Sequence, residues 1–215
     1  MLRAQTSDAD WTKARLETLS DGVFAIAMTI LVFNIKLPDE LKRGASEHEV
    51  LQAVANTWPQ LMAYTISFII LGAMWMGHHN VFHAIRKVDR GTIWLNMLYL
   101  LWIGLMPFST SVYSFHISTK TGLMAYWINV FLAGASLSLL WHSVSRKSNL
   151  IDDDLTDEKK RSIKIRTWVM PLVSVIAMGG TLINPWIGLY STWILPLCYR
   201  VAMKFSRTKQ ADTMA

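Results

Sequence analysis

Six residues at the ends of two apolar segments have side chains that could carry chemistry. Asp21 introduces the first of these segments, and a carboxylate at the mouth of an apolar helix is unfavourable unless another group hydrogen-bonds to it or neutralises it. The other candidates precede it in the sequence or end the second apolar segment: Arg15, Ser20, Trp75, His78 and His79. Such a set could bind a metal ion or form a buried hydrogen-bonded cluster.

Metal binding is the weaker of these two interpretations. Zinc sites use three or four protein ligands, and adjacent histidines on a helix point about 100° apart. His79 and His83 have the i, i+4 spacing of metal ligands, but no acidic residue lies between them. We therefore predict no metal site, no cofactor and no enzymatic activity. Instead, we expect His78 or His79 to donate a hydrogen bond to Asp21.

The elements that position these residues are apolar helices of membrane-spanning length. The chain of 215 residues is 52% hydrophobic and 17% charged, with ten Trp, which excludes an ordinary soluble domain. Its last apolar run is interrupted at Asn184-Pro185, where a helix ends because the residue before proline disfavours the helical region. We predict one all-α membrane domain, residues 1–206, and a polar tail, residues 207–215. Its six predicted spans are at about residues 18–37, 56–80, 92–114, 122–144, 164–183 and 185–204.

The distribution of basic residues predicts the orientation of these spans. Cytoplasmic loops are enriched in Lys and Arg, and with a cytoplasmic N-terminus 17 of the 21 Lys and Arg residues lie on the inner side. The four on the outer side are Lys36, Lys42, Arg43 and Lys120. Both termini are therefore predicted to be cytoplasmic, in a multi-pass protein of the cell membrane. Because the basic residues flank the spans rather than forming one patch, the net charge of +6 does not indicate a nucleic-acid partner.

Two connecting segments carry local signals of their own. The second half of the outer segment at 38–55 is predicted to form a short amphipathic helix. In the inner segment at 145–163, Thr156 is placed to cap the helix that enters the fifth span. Three adjacent aspartates at 152–154 lack the alternating spacing of a calcium loop, and we interpret them as a solvated turn.

The first span has a narrow apolar stripe. Ile26, Ile30, Phe33 and Leu37 follow one another at spacings of four, three and four, and Asp21 lies on roughly the opposite side of the helical wheel. For an arbitrary membrane helix, such a stripe faces lipid or another helix of the same subunit. Two polar residues lie beside the stripe, Thr29 and Asn34. They could contact hydrated ions, although a threonine that bonds back to its own helix is an equal alternative.

These motifs resemble those of a known family. Arg15-x-x-x-Leu19-Ser20-Asp21 resembles the first-helix signature Arg-x-x-x-Phe-Ser-Asp of the transmembrane protein 175 family, and Trp75-x-x-His78-His79 is similar to its second motif. The resemblance extends to six spans over the whole chain. It implies a potassium-permeable channel in which four identical subunits surround a pore lined by the first helix.

The resemblance also implies which residues line that pore. The positions carried over by their offset from Asp21 are Ile26, Ile30 and Phe33, which are three members of the stripe. Two residues depart from the family pattern, because Leu19 replaces Phe and Phe33 replaces Leu. A ring of apolar side chains conducts only when it is wide enough to stay wet. Potassium sheds its water more easily than sodium, so we expect weak to moderate selectivity for potassium over sodium. The polar cluster around Asp21 would anchor the pore helix.

The predicted channel is a homotetramer that interacts with potassium ions and membrane lipid. Two other functions are alternatives to it. A proton-coupled secondary transporter usually shows inverted repeats and a charged site at mid-membrane, whereas every acidic residue here is predicted at a membrane edge or in a loop. A membrane enzyme that uses the histidines and Asp21 ranks third. The sequence has no nucleophile motif such as Gly-x-Ser-x-Gly to support it.

Overall fold

The computed structural model of the chain describes residues 8–37, 44–116 and 119–191, with side chains from residue 13 onward. The regular elements within these ranges are helices. In chain order they are α1 (Asp8–Ile30), α2 (Glu47–Asn56), α3 (Trp58–His83), α4 (Arg90–Gly104), α5 (Met106–Phe115), α6 (Lys120–Ser145), α7 (Asp157–Ile183) and α8 (Pro185–Tyr190). Two 3₁₀ turns, Leu31–Asn34 and Ser148–Leu150, follow α1 and α6.

Five helical segments of the described chain are long and apolar enough to cross a membrane. They are Lys13–Asn34, Trp58–His83, Arg90–Phe115, Lys120–Ser145 and Asp157–Ile183, and they correspond to the first five predicted spans. The sixth predicted span, 185–204, begins as α8, and its remainder lies outside the described residues, as does the predicted tail at 207–215. The number of six spans and the side of the membrane on which the termini lie therefore remain predictions.

Several helix ends follow directly from capping residues in the sequence. The Thr156 side chain accepts the N–H of Lys159 and starts α7, as predicted. Ser46 and Glu49 form a capping box that starts α2, the short helix predicted in the outer segment. α7 ends at Ile183, and Asn184 caps α8 through the N–H of Trp186, so the predicted break at Asn184-Pro185 is confirmed.

The third predicted span, 92–114, corresponds to two successive helical segments within Arg90–Phe115. It consists of α4 and α5, which meet at Leu105, and Pro107 lies in the first turn of α5. Proline has no N–H to donate, and its ring clashes with the carbonyl four residues earlier, so the regular hydrogen bonding of the span is interrupted near Leu105. The predicted span itself is confirmed, and the hydropathy pattern did not show the interruption because proline is tolerated within apolar spans.

Helix α6 forms the centre of the protomer, and α1 lies at its edge. In the most apolar part of each span, 61% of the α6 residues are buried, against 28% of the first-span residues. The contact between α6 and α7 is close at one point, where Gly134 faces Pro171, a proline inside α7. A side chain at position 134 would collide with the proline ring, so glycine permits this approach.

Two connectors that carry basic residues lie together at one end of the bundle. They are the segment between α3 and α4, at 84–89, and the segment between α6 and α7, at 146–156. Ile85 and Ile151 form an isolated antiparallel bridge, and Arg86 forms an ion pair with Asp153. The predicted topology requires these two connectors to lie on the same side of the membrane, and this arrangement meets that requirement. We call this end of the bundle the basic end.

A second ion pair at the basic end is expected to make stability depend on pH. Lys147 Nζ lies 2.7 Å from Asp89 Oδ2, and Asp89 also caps α4 by accepting the N–H of Thr92. The bond from Lys147, followed by those from Thr92, lowers the pKa of Asp89 from its ordinary 3.8 to about 2. Because the folded-state pKa is depressed, this stabilisation is present above the ordinary value and is lost as the pH falls through about 2.

Asp89→Asn should therefore lower the thermal unfolding midpoint in detergent at neutral pH. Asparagine keeps the cap on Thr92 but loses the ion pair with Lys147. The difference from the parent chain should shrink as the pH falls from about 4 to about 2. Asp154→Asn is the matched control, because Asp154 is exposed and makes no ion pair within the described residues. Equal midpoints for the parent and Asp89→Asn at neutral pH would contradict this prediction.

Candidate functional site

Helix α1 has one face that packs inside the protomer. Its members are spaced by four, four, three and four residues, and they face α3, α4 and α5. They are Leu16, Ser20, Phe24, Ala27 and Leu31, all of them buried. This regular pattern fixes the rotation of α1 about its own axis, and it decides which other residues are left on the outside.

The predicted stripe lies on a separate face of α1 and stays exposed in the protomer. The exposed fractions of Ile26, Ile30 and Phe33 are 59%, 42% and 72%. Leu37 is also exposed, and so is Leu19, which is seven residues before Ile26 and therefore falls on the same line of the helix. Leu19 departs from the family motif, and its spacing from Ile26, which also places it on the stripe, was missed in the sequence.

The stripe ends in a 3₁₀ turn rather than in regular α-helix. Because side chains three residues apart eclipse each other in a 3₁₀ helix, Phe33 lies directly beyond Ile30 along the stripe. Asn34, the last residue of the turn, donates from Nδ2 to the carbonyl oxygen of Pro107 at 2.9 Å. Thr29 bonds back to its own helix through the carbonyls of Ala25 and Ile26, which is one of the two roles foreseen for it.

Asp21 finds a different partner from the one expected. The indole Nε1 of Trp75 donates to Asp21 Oδ1 at 2.8 Å, and this bond links α1 to α3. The expectation that His78 or His79 donates to Asp21 was wrong, because His78 points into the protomer and His79 stacks on Trp75 instead. The indole was available from the second motif, since tryptophan carries a single donor at the tip of an apolar ring.

Behind Asp21, a buried polar chain connects three helices. His78 Nε2 lies 2.9 Å from Asn96 Oδ1, and since an amide oxygen only accepts, this ring nitrogen carries the proton. Asn96 Nδ2 donates to Ser20 Oγ at 3.2 Å, and Ser20 in turn donates to the carbonyl of Leu16 at 2.8 Å. Ser20 and Asn96 are fully buried and His78 nearly so, so the chain ties α1, α3 and α4 together where water is excluded.

Aromatic rings hold the buried histidine in place. The imidazole of His78 stacks on Phe82 with ring centroids 4.2 Å apart and on Tyr99 with centroids 5.5 Å apart. Phe24 of α1 closes the same group, at 6.3 Å from His78. With the ring held in this orientation, His78 Nε2 points toward Asn96, and this fixes the direction of the chain of hydrogen bonds.

The remaining candidates lie outside this buried chain. His79 is exposed and stacks between Trp75 and His83, with centroid distances of 5.7 and 6.4 Å. Arg15 is also exposed, and no hydrogen bond or ion pair joins it to another of the described residues. Within the described residues, no group of three or more His, Cys, Asp and Glu side chains is arranged to hold a metal ion.

Asn96 was missed in the sequence, although it connects the two motifs. A single asparagine inside an apolar span has no spacing relation that marks it as a partner of Ser20 or His78. A polar side chain in the bilayer core does indicate a buried contact, and that was the one available signal.

A second buried polar group was missed for the same reason. There Thr110 donates to Ser67 at 2.9 Å and Ser67 bonds to Tyr126 at 3.2 Å, which joins α3, α5 and α6.

Asn96→Leu is expected to destabilise the folded protein by about 1–3 kcal/mol, because it leaves the buried His78 donor without a partner. The measurement is the thermal unfolding midpoint in detergent. Asn80→Leu is the matched control, since Asn80 is exposed on α3 and bonds only to the carbonyl of Met76 within its own helix. If both variants lowered the midpoint equally, the stabilising role of the buried chain would be refuted.

Comparisons with known proteins relate this arrangement to ion channels. The family described as endosomal/lysosomal potassium channel TMEM175 matches residues 15–107, which contain the stripe from Leu19 to Leu37 and both motifs. A potassium channel of Streptomyces collinus is 29% identical over 189 residues, which cover 86% of this chain and 90% of that protein. A potassium channel of Chryseobacterium sp. is 27% identical over 193 residues, covering 90% of this chain and 95% of that protein.

One vertebrate relative and one solved structure complete the comparison. The endosomal/lysosomal proton channel TMEM175 of Homo sapiens is 36% identical over 101 residues, and the match covers 45% of this chain and 20% of that protein. The crystal structure of a lysosomal potassium-selective channel TMEM175 homologue from Chamaesiphon minutus has a TM-score of 0.71 and 22% identity. It covers 92% of this chain and 97% of that chain, and at this identity the likeness shows a shared fold.

Proposed function

The chain belongs to the TMEM175 family, and from this relationship we propose that it forms a potassium-permeable cation channel in the cell membrane. Like its relatives, it is a multi-pass membrane protein and not an enzyme. In the proposed channel, four copies surround a central pore, and α1 of each copy lines that pore. The observation that carries the proposal is the exposed apolar stripe on α1, formed by Ile26, Ile30 and Phe33.

The packing of α1 supports this assignment. Its inward face is fully used by contacts with α3, α4 and α5, so the stripe is free to meet lipid or other copies of the chain. Lipid alone requires no particular rotation of a helix, whereas a pore requires that one face be held toward an axis. The polar contacts along α1 supply that restraint, and they lie within the segment matched by the family.

Three attachments hold the stripe in its direction. Asp21 is bonded to Trp75 of α3, Ser20 to Asn96 of α4, and Asn34 to the carbonyl of Pro107 in α5. The first two attach the middle of α1, and the third attaches the 3₁₀ turn that follows it, roughly 20 Å away along the helix axis. In the proposed channel, these bonds position the pore helix and do not contact the permeating ion.

The stripe itself would act as a hydrophobic constriction. Four copies of Ile30 and Phe33 around an axis offer no oxygen ligands, so an ion cannot exchange its water for protein groups there. A narrow apolar ring empties of water and blocks ions, and a wider one admits hydrated cations. Potassium releases water more easily than sodium, so we expect a modest preference for potassium.

Proton permeation is a second candidate, and the names of the vertebrate relatives favour it. The human relative and the Gallus gallus relative are named proton channels, and the latter is 37% identical over 100 residues. A wetted constriction would also let protons pass along its water. The two candidates are separated by the ion that carries the current.

The test of function is reconstitution into liposomes with a potassium gradient. We expect potassium efflux and unitary currents, with bi-ionic reversal potentials that favour potassium over sodium. A preference for sodium or chloride would refute the potassium channel. Currents that follow a pH gradient and ignore the potassium gradient would favour the proton candidate. Saturating, proton-coupled uptake without unitary currents would instead indicate a carrier.

Cross-linking tests whether the stripe faces other copies. In a Cys198→Ser background, Ile26→Cys should cross-link neighbouring protomers, giving ladders up to a tetramer on denaturing gels. Ala27→Cys is the matched control, because Ala27 is buried against the same protomer and should give no such ladder. If Ile26→Cys stays monomeric under conditions in which the channel conducts, the proposed pore is wrong.

A further inference from the structure

A cavity of about 660 Å³ lies between α6 and α7 at the basic end of the bundle. Three cationic side chains line one part of it, and Ser145 with two aromatic and two aliphatic side chains lines the rest. The members used below are Lys160, Arg161, Lys164, Trp168, Leu172 and Trp141. None of these residues takes part in the polar cluster or the stripe of α1, so the cavity has no role in the proposed pore.

The α7 side of the cavity is a single face of that helix. The lining residues from Arg161 to Leu172 recur at spacings of three, one, three and four, as expected for neighbours on one face. The cationic residues are at its first turns and Leu172 lies about 17 Å further along the helix from Arg161. The cavity therefore changes from charged to apolar in the direction that leads from the membrane surface into the bilayer.

Within the described residues, the positive charge in this cavity is only partly paired. Lys160 forms an exposed ion pair with Asp157 at 3.2 Å, and no ion pair within the described residues involves Arg161 or Lys164. An anion placed between Arg161 and Lys164 would offset their positive charge.

We propose that this cavity binds an anionic glycerophospholipid of the inner leaflet. Arg161 and Lys164 hold the phosphate, with Lys160 at the rim, and Trp168 packs at the level of the glycerol, where tryptophan is favoured at membrane interfaces. The first acyl carbons lie along Leu172. A volume of about 660 Å³ accommodates a headgroup and the start of the acyl chains, while the remainder extends into the bilayer.

The test measures which lipid stays with the purified protein. The chain is reconstituted in vesicles of equal phosphatidylglycerol and phosphatidylcholine, extracted in mild detergent, and examined by native mass spectrometry. We expect at least one retained phosphatidylglycerol per protomer and no comparable retention of phosphatidylcholine. Arg161→Gln/Lys164→Gln should reduce the preference for phosphatidylglycerol about 25-fold, since each basic side chain contributes about fivefold.

The matched control is Lys87→Gln/Lys159→Gln, which removes the same charge from the same end of the bundle. Lys87 lies in the connector before α4, and Lys159 lies on the side of α7 away from the cavity, so lipid retention should be unchanged. Unfolding midpoints and oligomer mass show whether each variant folds. If the double variant does not fold, Arg161→Gln alone should still weaken retention about fivefold.

Three outcomes would overturn the proposal. The parent chain could show no preference for phosphatidylglycerol, which is the result expected if another part of the chain or a second copy fills the cavity. The cavity variant and the control variant could lose lipid equally, which would indicate a diffuse surface attraction. Finally, inorganic phosphate could displace the lipid at equal headgroup concentration, in which case the site would be one for a free anion.

Discussion

Ile30→Asn is expected to raise potassium flux through reconstituted protein roughly tenfold, which corresponds to a barrier lower by about 1.4 kcal/mol. In the proposed pore, four amide side chains at this level would keep the constriction wet and offer oxygen atoms to the passing cation. The same change should bring the potassium and sodium reversal potentials closer together, because hydrated ions are poorly distinguished. Phe33→Asn should act in the same direction. The measurements are potassium efflux per reconstituted protein and bi-ionic reversal potentials.

Val32→Asn is the matched control for these two variants. Val32 is half-exposed and lies in the same 3₁₀ turn as Phe33, but it does not lie on the stripe. Its replacement should leave flux and selectivity close to those of the parent chain. If Val32→Asn raised flux as much as Ile30→Asn does, or if neither stripe variant changed it, the stripe would not form the constriction.

Gly134→Ala is expected to destabilise the protein by about 1–3 kcal/mol, even though alanine favours helices more than glycine does. A Cβ atom at position 134 would lie 2.7 Å from Pro171 Cδ and 2.9 Å from Met170 Cβ. The proline ring cannot rotate away, so α6 and α7 would have to separate. The thermal unfolding midpoint in detergent measures the effect.

Gly179→Ala is the control, and it should shift the midpoint in the opposite direction or leave it unchanged. Gly179 lies inside α7, and among the described residues a Cβ atom there would meet no atom of another helix within 4 Å. Alanine should therefore contribute only its better helix propensity, up to about 1 kcal/mol. A stabilised Gly134→Ala would show that the contact of α6 with α7 is looser than the structure indicates.

The larger elements of the fold could be predicted from the sequence because membrane helices are specified by long-range composition. Composition located five apolar spans. The cap at Thr156 and the break at Asn184-Pro185 were found from local residue signals. The break near Pro107 was not, because the apolar pattern continues across it and only the missing donor of proline distinguishes the two helices. A hydropathy pattern therefore locates spans but does not show whether each one is continuous.

The candidate site was predictable to the extent that it depends on helical spacing. The sequence placed Ile26, Ile30 and Phe33 on one line, and the same three residues are exposed on one side of α1. The partners of the polar residues depend on how helices pack, and spacing within one helix carries no such information. For this reason Asp21 was assigned to a histidine when its donor is Trp75, and Asn96 was not recognised at all.

The division of the third span at Leu105 has a mechanical consequence for α1. A continuous helix of 26 residues would tilt as one body from one membrane surface to the other, whereas the interruption lets α4 and α5 tilt separately. Ser20 is hydrogen-bonded to Asn96 of α4, and Asn34 to the carbonyl of Pro107 in α5. The two bonds therefore lie on opposite sides of the interruption at Leu105. In the proposed channel, a tilt of α5 would therefore move the end of the stripe near Phe33 while Ser20 stays in place.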